Sequence, residues 1–209
     1  MSFRSTINKV LVRLREDTIT SDWSGAINDS TDVDDYHKLV GEFVNEARTI
    51  VEDSWNWGAL RTVIAISTTS GTSQYTVTGV NNRSRILQVI DSTNNSLLNQ
   101  TSDDYFYNVT YTGTSSNGIP VYYRLNNNTI DFWPTPGGTY AIKIHAVDVP
   151  DDLTLAAATF SVQEHLVVLG AYALALAERG EDGGTPSDQA MVRFRTALTD
   201  AISQDSQRT

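Results

Sequence analysis

The three histidines are the first candidates for chemistry, because imidazole is a common acid–base group and metal ligand near neutral pH. His37, His145 and His165 lie far apart in the sequence. None has a second histidine four residues away or a glutamate three residues before it, the spacings that place two metal ligands on one helix face. We expect structural roles for all three. A convergence of His145 or His165 with distant carboxylates is the alternative.

Acidic side chains that are close in the sequence also lack catalytic or metal-binding patterns. The pairs Asp103-Asp104 and Asp151-Asp152 fit a helix start or a turn. The stretch TDVDD lacks the glycine and the final glutamate of a calcium-binding loop. No phosphate-binding glycine loop, no Gly-x-Ser-x-Gly turn and no cysteine is present. The sequence therefore predicts a protein that is not an enzyme and has no cofactor and no metal site.

Three tryptophans are the remaining candidates for a binding site. Exposed aromatic rings on a β-sandwich can stack on sugars, which would indicate a carbohydrate-binding module. The interpretation we favour is that Trp55 and Trp57 fill a junction between a helical and a β domain. Trp133 lies in TIDFWPTPGGTYAIKI, residues 129–144, where alternating strands flank two prolines and a Gly-Gly pair. This pattern predicts a β-hairpin with Trp133 at its bend, stiff enough to contact a neighbouring subunit.

The net charge of −10, from 25 acidic and 15 basic residues, argues against a protein that grips nucleic acid through its phosphates. No apolar run approaches the length of about 20 residues that a membrane span requires. The first residues, MSFRSTINKV, lack the apolar core of a signal peptide. Together with the lack of cysteine, these features predict folding in a cytoplasm without membrane association.

Amphipathic periodicity predicts four main helices. The first covers about Ser5 to Arg15. The second begins at a cap on Thr31 or Asp32 and ends at Gly58, and its predicted apolar face is Tyr36, Leu39, Val40, Phe43, Ala47, Ile50 and Val51. The third opens with Ser161 and Glu164 at capping-box spacing and ends at Gly180. The fourth begins after EDGG at Thr185, and the tail SQDSQRT follows it.

Between the second and third helices the chain is rich in Val, Ile, Thr and Tyr, and Gly, Asn and Pro separate short strands. Within this region, TSDDYFYNV is the one segment that the pattern predicts to form a short helix. The fold class predicted is therefore α+β: a four-helix bundle built from both chain ends, with an inserted antiparallel β-sandwich or barrel-like domain. The predicted boundaries are 1–58 and 151–209 for the two helical parts and 59–150 for the β domain.

Several stretches carry a family resemblance. The helix end WNWGALRTVIAIS, the strand RILQVID, the run GIPVYYRLNNNTIDFWPTPGGTYAIKIHAV and the alanine-rich helix after it resemble phage head-to-tail adaptor proteins. The tail tubular proteins A of short-tailed phages belong to this group. The resemblance covers roughly residues 30–205, and it departs from the family in the Asn-rich loops and the extended N-terminus.

This resemblance implies a structural virion protein in the neck of the phage, assembled in the host cytoplasm. Such proteins form a ring, often of twelve copies, between the portal protein and the tail tube or nozzle protein. The ring lines the channel through which genomic DNA passes, and acidic walls would repel the phosphates. The residues expected at a subunit or tail interface are Trp133, Pro134, Pro136, Asn127 and Asn128. The residues expected to dock on the portal are Thr199, Asp200, Ile202, Gln204 and Arg208.

Two other functions stay open from the sequence. A carbohydrate- or receptor-binding β module of a tail component would present exposed, coplanar aromatic rings. This function does not explain the four predicted helices. A hydrolase would need a catalytic constellation that the sequence does not contain.

Overall fold

The computed structural model describes residues 1–112, 117–180 and 185–208. These residues divide into two compact units. One, which we call the helical unit, comprises Met1–Leu60 and Asp151–Thr209; the other, the β unit, comprises Arg61–Pro150. The division of the chain into folding domains at residues 58/59 and 150/151 stays a prediction. The predicted EDGG turn lies outside the described residues.

Among the described residues, four α-helices belong to the helical unit and a fifth belongs to the β unit. In chain order they are α1 (Phe3–Leu14), α2 (Asp35–Ser54), α3 (Asp103–Thr112), α4 (Glu164–Arg179) and α5 (Thr185–Ser206). Helix α4 is the central helix of its unit and packs against α1, α2 and α5, while α1 also packs against α2. The predicted α+β class, with helices from both chain ends in one bundle, is confirmed.

Some predicted helix ends are confirmed and others are wrong. Helix α4 ends at Gly180, whose positive φ of 60° is the left-handed conformation that stops a helix. Helix α2 has Asp34 as its N-cap rather than Thr31 or Asp32, and it ends at Ser54 rather than at Gly58. The predicted capping box of α4 does not form. Glu164 instead accepts a hydrogen bond from Thr6 of α1 at 3.1 Å and pairs with Lys9.

The buried face of α2 is rotated from the face that the apolar pattern predicted. Val40, Ala47 and Val51 are buried as expected. Val44 is buried as well, and three polar residues complete this buried face: Asn45, Arg48 and Glu52. Leu39 and Ile50, predicted to be buried, are 36% and 40% exposed. Asn45 and Arg48 can be buried because they bind the backbone of Leu153 and Asp151, where the chain returns to the unit, and Glu52 lies 3.6 Å from Arg48.

Two four-stranded sheets form the β unit. The first has the order β1-β10-β3-β4 and is antiparallel; the second has the order β2-β8-β7-β5, in which β5 pairs with β7 in parallel. The strands are β1 (Arg61–Ser67), β2 (Gln74–Thr76), β3 (Arg85–Asp91), β4 (Ser96–Leu97), β5 (Asn99–Gln100), β6 (Asn117–Gly118), β7 (Tyr122–Asn126), β8 (Thr129–Trp133), β9 (Thr135–Pro136) and β10 (Ala141–Val147). A short parallel pair, β6 with β9, completes the unit.

Both sheets contribute to one apolar core. Val89, Ile142 and Ile144 come from the first sheet, and Ile130 and Phe132 come from the second. All five side chains are at most 1% exposed. Sheets that share such a core form a sandwich, and alternate residues of each strand face inward.

The predicted hairpin at residues 129–144 is wrong. Strand β8 pairs with β7 and β2, whereas β10 pairs with β1 and β3 in the other sheet. Trp133 therefore lies where the chain crosses from one sheet to the other, and Gly137 donates a hydrogen bond to the Gly118 carbonyl at 2.9 Å along this crossing. The true hairpin joins β7 to β8 through Asn127-Asn128. The pattern misled because alternation and turn residues mark both a hairpin and a sheet-to-sheet crossing.

Gly170 on the central helix generates a prediction about stability. A Cβ atom there would lie 2.9 Å from the Cβ of Ala47 on α2 and 3.1 Å from the Phe194 ring on α5. We expect Gly170→Ala to destabilise the protein by about 1–3 kcal/mol, because backbone and ring must move apart. The measurement is urea unfolding followed by circular dichroism.

Gly58→Ala is the matched control, since a Cβ there meets only the Asp205 carboxylate at 3.5 Å. We expect this variant to stay within about 0.5 kcal/mol of wild type. A Gly170→Ala variant as stable as the control would contradict the close approach of the three helices.

Candidate interaction surfaces

Trp133 lies at the edge of a surface of aromatic rings on the β unit. Its ring centroid is 6.0 Å from that of Tyr122, and Tyr122 is 5.6 Å from Tyr105 on α3. Tyr107 and Tyr111, one helical turn apart on α3, lie 6.5 Å from each other. We call these five residues the aromatic surface. Tyr111 is 85% exposed and Tyr105 and Tyr107 are about half exposed, so three rings of this surface are accessible to a partner.

Two observations bear on what this surface can bind. The neighbouring rings are inclined to each other, by 61° for Tyr105 and Tyr122 and by 36° for Tyr122 and Trp133. A coplanar platform for stacking a sugar is therefore not formed by these rings. Large, rigid aromatic side chains with a polar tip are instead typical of protein interfaces.

Arg124 holds α3 against the second sheet beneath the aromatic surface. The guanidinium is 7% exposed, donates to the Asp131 carboxylate at 3.1 and 2.5 Å, and lies 3.7 Å from Asp103. It also lies 4.8 Å from the ring centroids of Phe106 and Tyr107. A buried cation needs such partners, since burial without them is strongly unfavourable. One side chain thus connects β7 and β8 to one face of α3.

The protonation of these groups follows from the same contacts. Burial lowers the pKa of Arg124, but its hydrogen bonds with Asp131 and Tyr107 raise it by more, so the net shift is upward. The guanidinium therefore stays charged at every pH at which the protein is folded. A hydrogen bond with Tyr122 raises the pKa of Tyr105 above its ordinary value. Tyr105 is therefore protonated and neutral at physiological pH.

The other residues predicted for a subunit or tail interface separate into two places. Pro134 and Pro136 continue from Trp133 into β9 and are part of the crossing between the sheets. Asn127 and Asn128 lie at the opposite end of β8, in the exposed β7–β8 turn. Asn127 has a positive φ of 55°, and the Asn128 carbonyl accepts a hydrogen bond from Val77 at 2.8 Å. These two asparagines therefore have a clear structural role in the turn.

Trp55 and Trp57 occupy different environments within the helical unit. Trp57 is buried, and its indole N–H donates to the Val51 carbonyl at 2.6 Å. Trp55 donates to the Asp205 carboxylate at 3.1 Å, and the backbone N–H of Gly58 donates to the same carboxylate at 3.0 Å. Asp205 thus ties the end of α5 to the segment after α2. Their predicted place at a domain junction stays a prediction.

The prediction that the fourth helix ends before the tail SQDSQRT is wrong for most of that segment. Helix α5 continues to Ser206, and Ala201 and Asp205 connect its last turns to the unit. Of the residues predicted to dock on a portal, Ile202 is half-buried, while the others are exposed: Thr199, Asp200, Gln204 and Arg208. Thr209 lies outside the described residues.

The three histidines do not converge. His37 contacts the Asp17 carbonyl at 3.0 Å, His145 lies in β10, and His165 is exposed on α4. Across the residues that the structure describes, no three side chains of His, Cys, Asp or Glu lie close enough to hold a metal ion. None of the described helices combines the length and hydropathy needed to cross a membrane.

Sequence reasoning missed the tyrosines of α3 and Arg124. The signal available was the helix start at Ser102 followed by YFY, which predicted the helix but not its exposure. Exposure depends on which face of α3 the buried Arg124 holds, and that contact joins residues distant in the sequence.

Comparison with known proteins gives one family. The family model for the SU10 adaptor protein matches residues 1–209. No curated protein matches the chain at significant similarity.

The buried Arg124 generates a prediction. Arg124→Met leaves the Asp131 carboxylate buried without its partner, so we expect a loss of about 3–5 kcal/mol in the free energy of unfolding. The double variant Arg124→Met with Asp131→Leu removes both charges, and we expect it to regain a large part of that loss. Urea denaturation measures both effects.

Lys143→Met serves as the control, since Lys143 is exposed on β10 of the same unit. We expect its stability to match wild type within about 0.5 kcal/mol. If Arg124→Met behaved like this control, the guanidinium would not be what holds α3 on the sheet.

Proposed function

Since the chain belongs to the SU10 adaptor protein family and is a phage head-to-tail adaptor, we propose that its copies form a ring in the neck of the virion. In this proposal the ring has twelve members, joins the portal protein of the head to the tail tube or nozzle protein, and lines the channel for the genomic DNA. The observation that carries the proposal is the family match over residues 1–209. The ring would assemble in the host cytoplasm.

The distribution of charge supports a role beside DNA. The β unit, Arg61–Pro150, contains five acidic and five basic residues, so the whole net charge of −10 belongs to the helical unit. A ring of twelve such units would carry a large negative charge. Acidic side chains facing a channel repel phosphates and leave the passing DNA without binding sites.

We propose the aromatic surface, with Pro134 and Pro136 beside it, as the contact of the β unit with a neighbouring subunit or a tail component. Its support is its exposed aromatic area and the balance of five acidic and five basic residues in the β unit, since aromatic residues are enriched and charged residues depleted at the centre of a protein interface. Asn127 and Asn128, exposed at the other end of β8, would lie at the edge of such a contact. Trp55 and Trp57 remain our proposal for the junction of the domains.

We also propose that the C-terminal part of α5 docks on the portal. Asp200, Gln204 and Arg208 are four residues apart, so they lie along one face of the helix and its continuation, and all three are exposed. Thr199 and Ile202 lie beside this line. The docking element in this proposal is therefore mainly an ordered helix end, and deletion from Thr199 would remove the buried Ala201 and the Asp205 contacts as well.

The ring proposal predicts what purified protein does on its own and on phage heads. We expect negative-stain images of concentrated protein, or of protein mixed with tailless heads that carry a portal, to show rings. Mass measurement of the rings gives the number of copies. Monomers in solution together with heads that never gain a ring would overturn the proposal.

The docking proposal predicts a selective defect. We expect Asp200→Ala, Gln204→Ala and Arg208→Ala together to keep the circular dichroism and melting temperature of wild type, because all three side chains are exposed. The fraction of tailless heads that carry a ring should fall. Arg195→Ala with Ser206→Ala, exposed on the opposite side of α5, is the control and should leave occupancy unchanged. Wild-type occupancy with the triple variant would show that this face does not dock.

A further inference from the structure

The helical unit contains a basic groove although the unit as a whole is strongly acidic. The groove has a volume of about 600 Å³ and is lined by α1, the residue before it and the start of α4. Its charged or ionisable lining residues include Arg4, Lys9, Arg13 and His165, and its one carboxylate, Glu164, is only 7% exposed. Helix α1 itself has no acidic residue.

Part of this basic charge is directed outward. Lys9 pairs with Glu164 and Arg4 with Asp22. Arg13 and His165 are exposed, and Arg13 also lines a second hollow of about 170 Å³ that α5 helps to form with Arg193. Val12, which lines the groove next to Arg13 in the sequence, is 63% exposed. The groove thus combines an exposed apolar side chain with the outward positive charge of Arg13.

A complementary surface lies on α2 of the same unit. Its outer residues follow the helical period, with spacings of three or four, and they are exposed: Asp35, Leu39, Glu42, Glu46, Ile50 and Asp53. Four of these six are acidic. Leu39 and Ile50 are the apolar pair that the sequence pattern assigned to the core, yet they face outward. We call this set the α2 stripe.

We propose that the α2 stripe of one copy docks in the basic groove of a second copy, an inference that rests on the proposed ring. An amphipathic helix with two apolar residues about three turns apart suits an apolar groove, and its carboxylates suit the flanking cations. The α2 stripe and the groove share no residue. A contact between two different surfaces of identical chains is heterologous, and this is the kind of contact that closes a ring.

Charge complementarity decides for a second copy over the other occupants. Two copies repel each other through their net charge of −10. A stable contact between them therefore needs two surfaces of opposite local charge. The groove is a basic region of the acidic unit, and α2 provides the acidic helix that fits it. Nucleic acid or a portal segment in the groove would leave Leu39 and Ile50 without a partner.

Disulfide trapping tests the contact directly, because the natural chain has no cysteine. The two single variants Val12→Cys and Ile50→Cys are mixed under mild oxidation, in solution and on portal-bearing heads. We expect a mixed disulfide dimer in at least about tenfold excess over a mixture of Val12→Cys with Val63→Cys, since a disulfide requires Cα atoms within about 7 Å. Val63 is similarly exposed on β1.

Charge reversal provides a second test with a built-in rescue. The stripe variant carries Glu42→Lys and Glu46→Lys. The groove variant carries Arg13→Glu and His165→Glu. Arg4 and Lys9 stay unchanged, because they pair with carboxylates of the same chain. We expect each variant alone to need at least about tenfold more protein to form rings. An equal mixture of the two variants should restore assembly, because every stripe then meets a groove of opposite charge.

The outcomes separate the two proposals. Rings that form normally from either variant, or a cysteine pair that traps no better than its control, would overturn the α2 contact while the ring itself stands. Groove variants that form rings but fail to load on heads would assign the groove to the portal, and rings that form but lose DNA retention would assign it to nucleic acid; both overturn the contact. If wild-type protein forms no ring even on heads, the proposed function fails, and this inference fails with it.

Discussion

The chain leaves the helical unit after Leu60 and returns to it at Asp151, and a buried arginine fixes that return. Arg48 of α2 is fully buried and donates to the Asp151 carbonyl at 2.7 Å, with Asp152 3.4 Å and Glu52 3.6 Å away. Next to it, the Asn45 side chain bonds the backbone N–H and carbonyl of Leu153. Because a buried cation or amide is costly without partners, these residues are compatible with one position of the returning chain. Helix α4 follows from that position.

The position of α4 completes the helical bundle, because α4 packs against α1, α2 and α5. It also determines which surfaces the unit exposes. The central helix can approach α2 and α5 closely only because Gly170 has no side chain, and it meets α1 through Glu164, which pairs with Lys9 and Thr6. That same meeting of α1 and α4 produces the basic groove. The rotation of α2 that buries Arg48 turns Leu39 and Ile50 outward. The polar anchor and the exposed surfaces are therefore consequences of one arrangement.

The β unit repeats this dependence on a single buried cation. Arg124 pairs with Asp131 across the β7–β8 hairpin and packs under Phe106 and Tyr107, which fixes α3 on the sheet and exposes its tyrosines. The two units also differ in net charge: the helical unit carries the whole net charge of −10, and the acidic and basic residues of the β unit balance. In the function that we propose, the adaptor contacts protein partners while DNA passes without binding. A neutral, aromatic unit and an acidic, helical unit suit these two demands.

The sequence by itself determined the kind of elements and their order, because periodicity, glycine stops and turn residues act within one or two turns of chain. It thus predicted the helices, the end of α4 at Gly180, the short helix α3, the α+β class and the adaptor family. Only the tertiary structure decided which residues of α2 are buried, because Asn45 and Arg48 find their partners more than 100 positions away. The tertiary structure also decided that the chain crosses between the sheets at Trp133. It decided as well that α5 extends into the expected tail, where Asp205 binds Trp55. Local patterns do not contain such distant partners, and partners decide where polar groups can be buried.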